Sequence, residues 1–211
     1  MQPRDDCQSA PNLLTYRTMN ETSDEQLIEN YLNGSQDSFD ALLGRYLKPI
    51  YNFIYRMIGN AKEAEDLSQD TFIKVWNNLK KFKKNKKFKV WIYQIARHTA
   101  IDYLRKKKNI SFSDLAYSDG ESNEVRFEDT VEDKDFSPLE NLEKKQLEET
   151  VQDALNGLPP HYRSVLIFHY LEQMTFEEIS QITGEPLNTL KSRHRRGLSV
   201  LKKKFSEGKK P

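Results

Sequence analysis

The stretch TFEEISQITGEPLNTLKSRHRRGLSVLKKKF, residues 175–205, decides how the carboxyl-terminal part of this chain folds. Thr175 is a preferred N-cap residue, and Glu178 three positions later completes a capping box. Apolar residues recur at helical spacing up to Gly184, and glycine commonly ends a helix. Pro186 then suits the first turn of a second helix. The stretch therefore predicts two helices joined by a tight turn, which is a helix-turn-helix.

The second of these helices combines an apolar stripe with a cationic remainder. The stripe is predicted to contain Leu187, Leu190, His194, Leu198 and Leu201. In a helix-turn-helix the second helix enters the DNA major groove, with residues near its N-terminus against base edges. Many plain helical hairpins share this pattern, and a basic helix is often only a solvated surface. The coincidence of the cap, the turn and the positive charge favours DNA binding.

Charge is strongly segregated along the chain, although the formal net charge of the 211 residues is only +1. Residues 80–108 contain twelve Lys or Arg and one Asp, a local net charge of about +11. Residues 109–137 contain nine acidic and two basic residues, about −7. Residues 187–211 carry about +8. Two basic blocks flanking an acidic one indicate two surfaces for nucleic acid and a linker between them.

The cysteine content and the lack of long apolar runs indicate the cellular compartment. Its one cysteine, Cys7, allows no disulfide within the chain. No apolar run approaches the roughly 20 residues that span a bilayer, and the first residues lack the apolar core of a signal peptide. The sequence thus predicts a cytoplasmic protein that does not insert into a membrane.

The predicted fold is all-α, with two small helical domains joined by a flexible acidic linker and the helix-turn-helix in the second domain. Apolar residues at helical spacing alternate with Gly and Pro breaks throughout the two domains. The predicted boundaries are a disordered tail over 1–22, a first domain over 23–108, the linker over 109–137, a second domain over 138–205 and a basic tail over 206–211.

Three carboxylates on the third predicted helix raise the question of an enzyme. Glu63, Asp66 and Asp70 form an acidic ridge at spacings of three and four, and one interpretation is the metal site of a nuclease. Carboxylates on one helix rarely surround a metal, so a solvated or partner-binding face is preferred. His161 and His169 also lack companion ligands. No metal, no cofactor and no enzymatic activity are expected.

Aromatic residues alternate with lysines from residue 82 to 103, a pattern that suits single-stranded nucleic acid because bases stack on rings. Phe88 and Trp91 are expected to belong to the core instead. Phe82 and Tyr93 are the better candidates for an exposed stacking surface.

Two segments carry a resemblance to a known family. They are AEDLSQDTFIKVWNNLKKF with FKVWIYQIARHTAIDYLRKKK, within residues 64–108, and LPPHYRSVLIFHYLEQMTFEEISQITGEPLNTLKSRHRRGLSVLKK, residues 158–203. In this order, separated by a short linker, they resemble a bacterial RNA polymerase sigma factor of the extracytoplasmic-function (ECF) group. The resemblance implies a protein that binds core polymerase, recognises −10 and −35 promoter elements and aids promoter melting.

The resemblance also implies roles for particular residues. The surface that grips the clamp helices of the largest polymerase subunit corresponds to Asp66, Leu67, Gln69, Asp70, Phe72 and Trp76. Recognition and melting of the −10 element correspond to Lys83, Lys84, Asn85, Lys86, Lys87 and to Gln94, Arg97, His98 and Arg105 on the exposed face of the fourth helix. Recognition of the −35 element corresponds to Asn188, Thr189, Lys191, Ser192, Arg195 and Arg196.

The implied partners are core RNA polymerase, through its largest and second-largest subunits, and promoter DNA in double- and single-stranded form. An anti-sigma factor is a further implied partner. The chain departs from the family pattern at His98, where members often carry Asn, and in its lysine-rich loop. The alternatives are a stand-alone helix-turn-helix regulator that binds DNA as a dimer, and a protein that binds polymerase but not DNA.

Overall fold

The computed structural model of the protein describes residues 22–82, 86–113 and 138–207, with the backbone alone for 108–113, 138–144 and 207. Every regular element in these ranges is helical, which confirms the predicted all-α class. The helices are α1 (Asp24–Leu32), α2 (Gln36–Ile58), α3 (Ala61–Asn78), α4 (Phe88–Ser113), α5 (Pro138–Asn156), α6 (Pro160–Leu166), α7 (Phe176–Thr183) and α8 (Leu187–Glu207).

The first domain is a bundle of α1 to α4 in which α2 packs against the other three. The helix α2 buries Ile50, Phe53, Ile54 and Met57 completely. It ends at Gly59, which has the left-handed φ of 74°. The side chain of Asn60 then accepts a hydrogen bond from the Glu63 backbone N–H and so caps α3. A 3₁₀ turn, Leu79–Lys81, closes α3.

The second domain consists of α5 to α8. The helix α6 continues into a π-helical turn, Ile167–Leu171, and α7 and α8 form the predicted helix-turn-helix. The helix α4 extends to Ser113, five residues beyond the boundary predicted for the first domain. The predicted N-terminal tail up to residue 21, most of the linker (114–137) and the end of the basic tail (208–211) lie outside the described residues.

The two domains share one hydrophobic core. Phe168 of the second domain is fully buried against Phe53 and Tyr93 of the first, with ring centroids 4.8 Å and 5.9 Å away. Tyr93 is therefore core, and its predicted place on an exposed stacking surface is wrong. The helix α7 also packs against α4, so the face of α4 that the sequence leaves open to solvent is partly covered.

Candidate nucleic-acid and partner interfaces

The helix-turn-helix is built from local signals. The Thr175 hydroxyl accepts from the Glu178 N–H at 3.2 Å, and the Glu178 carboxylate accepts from the Thr175 N–H at 3.0 Å. Gly184 ends α7 with φ 72°. The predicted capping box and glycine stop are thus confirmed, and they fix where the first helix begins and where the chain turns.

The turn itself is held by polar contacts. The Ser180 hydroxyl donates to the carbonyl oxygen of Glu185 at 2.6 Å. The Glu185 carboxylate pairs with the Arg193 guanidinium, with an N–O distance of 2.6 Å. The ion pair thus joins the turn to α8, and the Ser180 hydrogen bond joins the turn to α7.

Rings from three elements anchor α8. A hydrogen bond of 3.0 Å joins the Nε2 of His194 and the Tyr170 hydroxyl. The His194 ring also contacts the rings of His169 and Phe176. Partial burial and the neighbouring His169 lower the pKa of His194. His194 is therefore a packing residue of the second domain.

The predicted burial of one residue in the apolar stripe, Leu198, is wrong. Leu198 is 37% exposed, whereas its neighbour Gly197 is buried. A Cβ at Gly197 would lie only 3.1 Å from Leu166, so glycine lets α8 approach α6 closely. The buried stripe passes through Gly197 instead of Leu198.

The residues of α8 that the sequence assigns to DNA lie on its outer side. Asn188, Lys191, Arg195 and Arg196 are exposed, and Thr189 and Ser192 are half-buried. Together they form a basic, polar surface on the second helix of the helix-turn-helix. Such a surface has the charge and the hydrogen-bond donors that recognise phosphates and base edges.

The residues of the first domain assigned to DNA do not all share one environment. Lys86, Lys87, His98 and Arg105 are exposed and Gln94 is half-buried, whereas Arg97 is only 8% exposed. The expected exposure of Arg97 is therefore wrong, because the second domain covers it. Lys83, Lys84 and Asn85 lie outside the described residues. We call the described set, Lys86, Lys87, Gln94, Arg97, His98 and Arg105, the basic face.

An open groove of 370 Å³ lies between α3 and α4, beside the basic face. Trp91 and His98 line it together with Lys74 and Lys81. Trp91 packs against the core but is only half-buried, so its expected place fully within the core is wrong, whereas Phe88 is buried as expected. Lys74 is fixed there by a hydrogen bond from its ammonium group to the Thr99 hydroxyl at 2.9 Å. Two flat rings beside two lysines suit a nucleic-acid base and its phosphates, and one carboxylate, that of Asp102, also lines the groove.

The side of α3 next to this groove has a different character. Asp66, Gln69 and Asp70 are exposed, and Leu67 and Phe72 are half-buried. Trp76 is 44% exposed, yet its ring packs on Tyr31 and Phe39 at centroid distances of 5.4 Å and 4.4 Å.

Ile73 belongs to the same surface and was missed by the sequence reasoning. It is 58% exposed and precedes Trp76 by three positions, which places both on one side of a helix. The sequence does contain a signal for this exposed residue, since an isoleucine occurs among the polar residues on this side of α3. We call Asp66, Gln69, Asp70, Ile73 and Trp76 the acidic face. Exposed apolar groups rimmed by carboxylates indicate a protein-binding surface.

Within the described ranges, no group of three or more His, Cys, Asp or Glu side chains is arranged to hold a metal ion. The same part of the chain contains no helix that is long and apolar enough to cross a membrane.

Two helical domains, a basic helix-turn-helix and an acidic face with exposed apolar side chains are typical of an all-α DNA-binding protein that works with a protein partner. Comparison with known proteins identifies the family. Sigma-70 region 2 matches residues 42–110, and sigma-70 region 4 matches residues 148–201. The chain belongs to the sigma-70 family of RNA polymerase sigma factors, in its ECF group.

Similar proteins of known function support this family assignment. The ECF RNA polymerase sigma factor SigW of Bacillus subtilis is 33% identical over 180 residues, which cover 85% of this chain and 95% of that protein. The RNA polymerase sigma-H factor of Pseudomonas aeruginosa is 30% identical over 177 residues, which cover 83% and 90%. The protein is therefore a sigma factor, a non-enzymatic factor that acts with core RNA polymerase in promoter-directed transcription initiation.

Solved structures share the fold. CnrH in complex with the cytosolic domain of CnrY superposes with a TM-score of 0.63 at 18% identity, covering 88% of this chain and 99% of that one. The sigma factor RpoE of Bartonella quintana, in complex with the anti-sigma factor NepR, gives a TM-score of 0.60 at 22% identity, covering 80% and 96%.

Proposed function

We propose that this sigma factor divides its work among three surfaces: the acidic face of α3 for polymerase, the basic face for the −10 element, and the outer side of α8 for the −35 element. The observation that carries the proposal is that the exposed acidic face belongs to α3, whereas the basic face and the outer side of α8 belong to other segments of the chain. A surface of exposed carboxylates repels DNA phosphates, so α3 is suited to a protein partner, and the cationic surfaces are suited to DNA.

The acidic face is proposed to bind the clamp helices of the largest polymerase subunit. Its two apolar side chains, Ile73 and Trp76, provide buried contact area, and tryptophan is the kind of residue that dominates such interfaces. Asp66 and Asp70 flank them and provide the charge that orients the partner. Contacts with the second-largest subunit are proposed for other parts of the chain.

The basic face and the adjoining groove are proposed to bind the melted −10 region. Lys86 and Lys87 attract phosphates without regard to sequence and in a salt-dependent way. Trp91 and His98 in the groove offer rings on which an unpaired base stacks. Lys83, Lys84 and Asn85 are proposed to bind the same promoter element.

The outer side of α8 is proposed to read the −35 element in the major groove. Arg195 and Arg196 supply charge, and Asn188 and Thr189 at the start of the helix supply hydrogen bonds to base edges. A single small module binds DNA weakly. Two modules held on one polymerase gain affinity from their high effective concentration.

The test is run-off transcription with bacterial core polymerase on a genomic template library, with and without this protein, followed by sequencing of the 5′ ends. We expect new start sites that share two upstream elements. Asp66→Lys with Asp70→Lys should abolish these transcripts. The control, Glu148→Lys with Glu149→Lys on the exposed side of α5, changes the charge equally and should preserve them.

A second comparison separates the −35 role from polymerase binding. Arg195→Ala with Arg196→Ala should reduce transcription at the new start sites while leaving polymerase binding intact. Lys202→Ala with Lys204→Ala, which removes the same charge near the end of α8, should have a much smaller effect. Failure to bind polymerase, together with tight sequence-specific DNA binding by the protein alone, would contradict the proposal and favour a stand-alone regulator.

The site of action is proposed to be the cytoplasm, where polymerase and promoters are. An anti-sigma factor is proposed as a further partner, since a sigma factor that competes for core polymerase is usefully held inactive.

A further inference from the structure

Four aromatic rings meet where α8 packs against the rest of the second domain. His169 and Tyr170 belong to the π-helical turn, Phe176 is the first residue of α7, and His194 lies two turns into α8. The His194 ring contacts the other three, with centroid distances of 5.1 Å to His169, 5.5 Å to Tyr170 and 5.5 Å to Phe176. We call these four residues the ring cluster. It joins α8 to both elements that precede it.

Hydrogen bonds orient both imidazoles of the ring cluster. The Nδ1 of His169 lies 3.3 Å from the carbonyl oxygen of Met174. A carbonyl oxygen can only accept, so this Nδ1 carries the hydrogen. The Tyr170 hydroxyl lies 3.0 Å from the Nε2 of His194 and can donate to a neutral imidazole. Both contacts are therefore satisfied when the two histidines are uncharged.

The surroundings of His194 disfavour a positive charge on its ring. Partial burial and the neighbouring His169 lower the pKa of His194 from its ordinary value of 6.5. A lowered pKa means that the unfolded chain binds the proton more readily than the folded domain. The corresponding stability is present above 6.5 and is lost as the pH falls through the lowered pKa. Acid thus acts against the packed arrangement of the ring cluster.

Among the described residues around the ring cluster, the ionisable group whose charge acts on His194 is His169. The carboxylates of the same region are exposed or bound to other partners. They are Glu172 with Tyr93, Glu178 with Lys87, Glu185 with Arg193, and the exposed Glu177. On α6, His161 is influenced by Arg193 and Glu185 instead. An imidazolium at position 194 would therefore have no carboxylate of the described region to stabilise it.

The ring cluster adjoins the residues that are proposed to contact the −35 element. Lys191 precedes His194 by three positions, Arg195 follows it directly, and both are exposed. Because these side chains stand on one helix, a shift of α8 against the π-helical turn moves all of them together. Hydrogen bonds to base edges need donor–acceptor distances near 3 Å, so such a shift weakens DNA recognition.

We propose that His169 and His194 are positioning residues for DNA recognition by α8, and that the uncharged pair holds α8 in the arrangement that binds the −35 element. The inference rests on the proposed assignment of the outer side of α8 to that element. Protonation loosens the ring cluster, so promoter binding falls in acid. The added charge would also attract phosphates. Loosening is the larger effect, because salt screens one added charge, whereas a displaced α8 loses several contacts at once.

The proton site is tested by NMR of the full-length protein. The chain has four histidines, so changing each in turn assigns the imidazole Cε1–H signals. We expect His194 to titrate below its ordinary pKa of 6.5 and to approach it in His169→Phe. Titration of His194 at or above the ordinary value would overturn the proposal.

Loosening is tested by hydrogen exchange of the α8 amides, expressed as protection factors. Protection should fall between about pH 7.5 and about pH 5.5 in the wild type. The fall should be absent in His194→Phe, which keeps a ring but cannot be protonated. His194→Gln, which also cannot be protonated, is a second variant in case phenylalanine alters the packing. Wild-type protection that is equal at the two pH values would overturn the proposal.

Promoter binding is tested with holoenzyme assembled from bacterial core polymerase. The probes are a promoter found by the run-off assay and the same fragment with a scrambled −35 element. Between about pH 7.5 and about pH 5.5, wild-type affinity for the intact promoter should fall about fivefold more than that of His194→Phe. Acid effects on polymerase are common to both proteins. The control, His161→Gln, removes a half-buried histidine outside the ring cluster and should behave as the wild type.

The outcomes distinguish this inference from the proposed function. Equal losses of affinity for wild type and His194→Phe, or a wild-type gain in acid, overturn the positioning role and leave the −35 assignment intact. If scrambling the −35 element changes nothing at about pH 7.5, α8 does not read that element, and the assignment and the positioning role fail together. The transcription assay with the acidic-face variants stands independently of these results.

Discussion

The rings of Phe53 and Phe168 stack with their centroids 4.8 Å apart and an interplanar angle of 11°. Both side chains are fully buried. Phe53 belongs to α2 and Phe168 to the π-helical turn after α6, so the stack joins the cores of the two domains. Packing between the domains is therefore hydrophobic at its centre and polar at its edge, where the Glu178 carboxylate lies 2.9 Å from the Lys87 ammonium.

A double-mutant cycle on this pair measures the packing directly. Each change, Phe53→Ala and Phe168→Ala, is expected to lower the free energy of unfolding by about 3–5 kcal/mol. Their effects should be non-additive by about 0.5–1.5 kcal/mol, because an aromatic pair contributes beyond its burial. Urea unfolding gives all four values. Leu147→Ala, at an exposed position of α5, should show no coupling with Phe53→Ala. Full additivity of the two phenylalanine changes would mean that the domains do not share a core in solution.

Two glycines allow backbone strain to be separated from contact between the domains. Gly59 and Gly184 both end a helix, with φ of 74° and 72°. A Cβ at Gly59 would lie 2.6 Å from the Asn156 side chain, whereas a Cβ at Gly184 would meet nothing within 4 Å. Gly184→Ala therefore reports on the left-handed backbone alone, at about 1 kcal/mol.

Gly59→Ala is expected to destabilise by clearly more than Gly184→Ala, because Asn156 of the second domain must also move. The difference in unfolding free energy between the two variants is the measurement. In an Asn156→Ala background the difference should shrink. Equal effects of the two glycine changes would show that α5 does not approach the end of α2.

The sequence predicts this fold wherever the signal is local. Thr175, Glu178 and Gly184 specify the beginning and the end of α7 within ten residues, and the structure agrees. Tyr93 and Arg97 are different, since their burial depends on a domain that begins some 40 residues later in the chain. Periodicity marks the side of α4 on which they lie but does not reveal that α7 covers it.

Two smaller differences have physical causes as well. Helical spacing predicts that Leu198 lies on the buried stripe, but Gly197, which allows α8 to approach α6 closely, takes the buried position and leaves Leu198 exposed. Ile73 is absent from the predicted polymerase-binding surface, whose apolar members are Leu67, Phe72 and Trp76, although it is 58% exposed.

The carboxyl of Glu172 makes stability depend on pH. Burial at the domain boundary raises its pKa, and the Tyr93 hydroxyl, Lys89 and Arg56 offset part of this rise. A raised pKa means that the folded state binds more protons than the unfolded state. The corresponding stability is fully present below the ordinary pKa of 4.5 and is lost as the pH rises through the raised value.

Glu172→Gln, which does not ionise, should therefore gain stability relative to the wild type as the pH is increased from about 4 to 7. Urea unfolding at several pH values gives the difference between the two proteins. Glu149→Gln, at an exposed position of α5, controls for the loss of one surface charge. A wild-type advantage that grows with pH would have the opposite sign and would show that the partners of Glu172 outweigh its burial.

Arg163 joins the two domains through backbone carbonyls. Its guanidinium donates to the carbonyl oxygens of Asn156 at 2.7 Å and Leu158 at 3.0 Å, and also to that of Met57 in the last turn of α2. The carbonyls of a last turn have no partner within their own helix. Arg163 of the second domain supplies a hydrogen-bond donor to one of these carbonyls, and its positive charge is favourable at a helix C-terminus.

A lysine at this position keeps the charge but lacks the planar fork that reaches several acceptors at once. Arg163→Lys is therefore expected to leave buried carbonyls without donors and to lower the free energy of unfolding by about 1–3 kcal/mol. Arg195→Lys, on the exposed side of α8, is the matched control and should change it by less than about 0.5 kcal/mol. If Arg163→Lys were as mild as the control, water would have to reach the carbonyls of Met57 and Leu158, and the end of α2 would not be sealed by the second domain. Hydrogen exchange of the amides in the last turn of α2, compared between the two variants, distinguishes a sealed end from an open one.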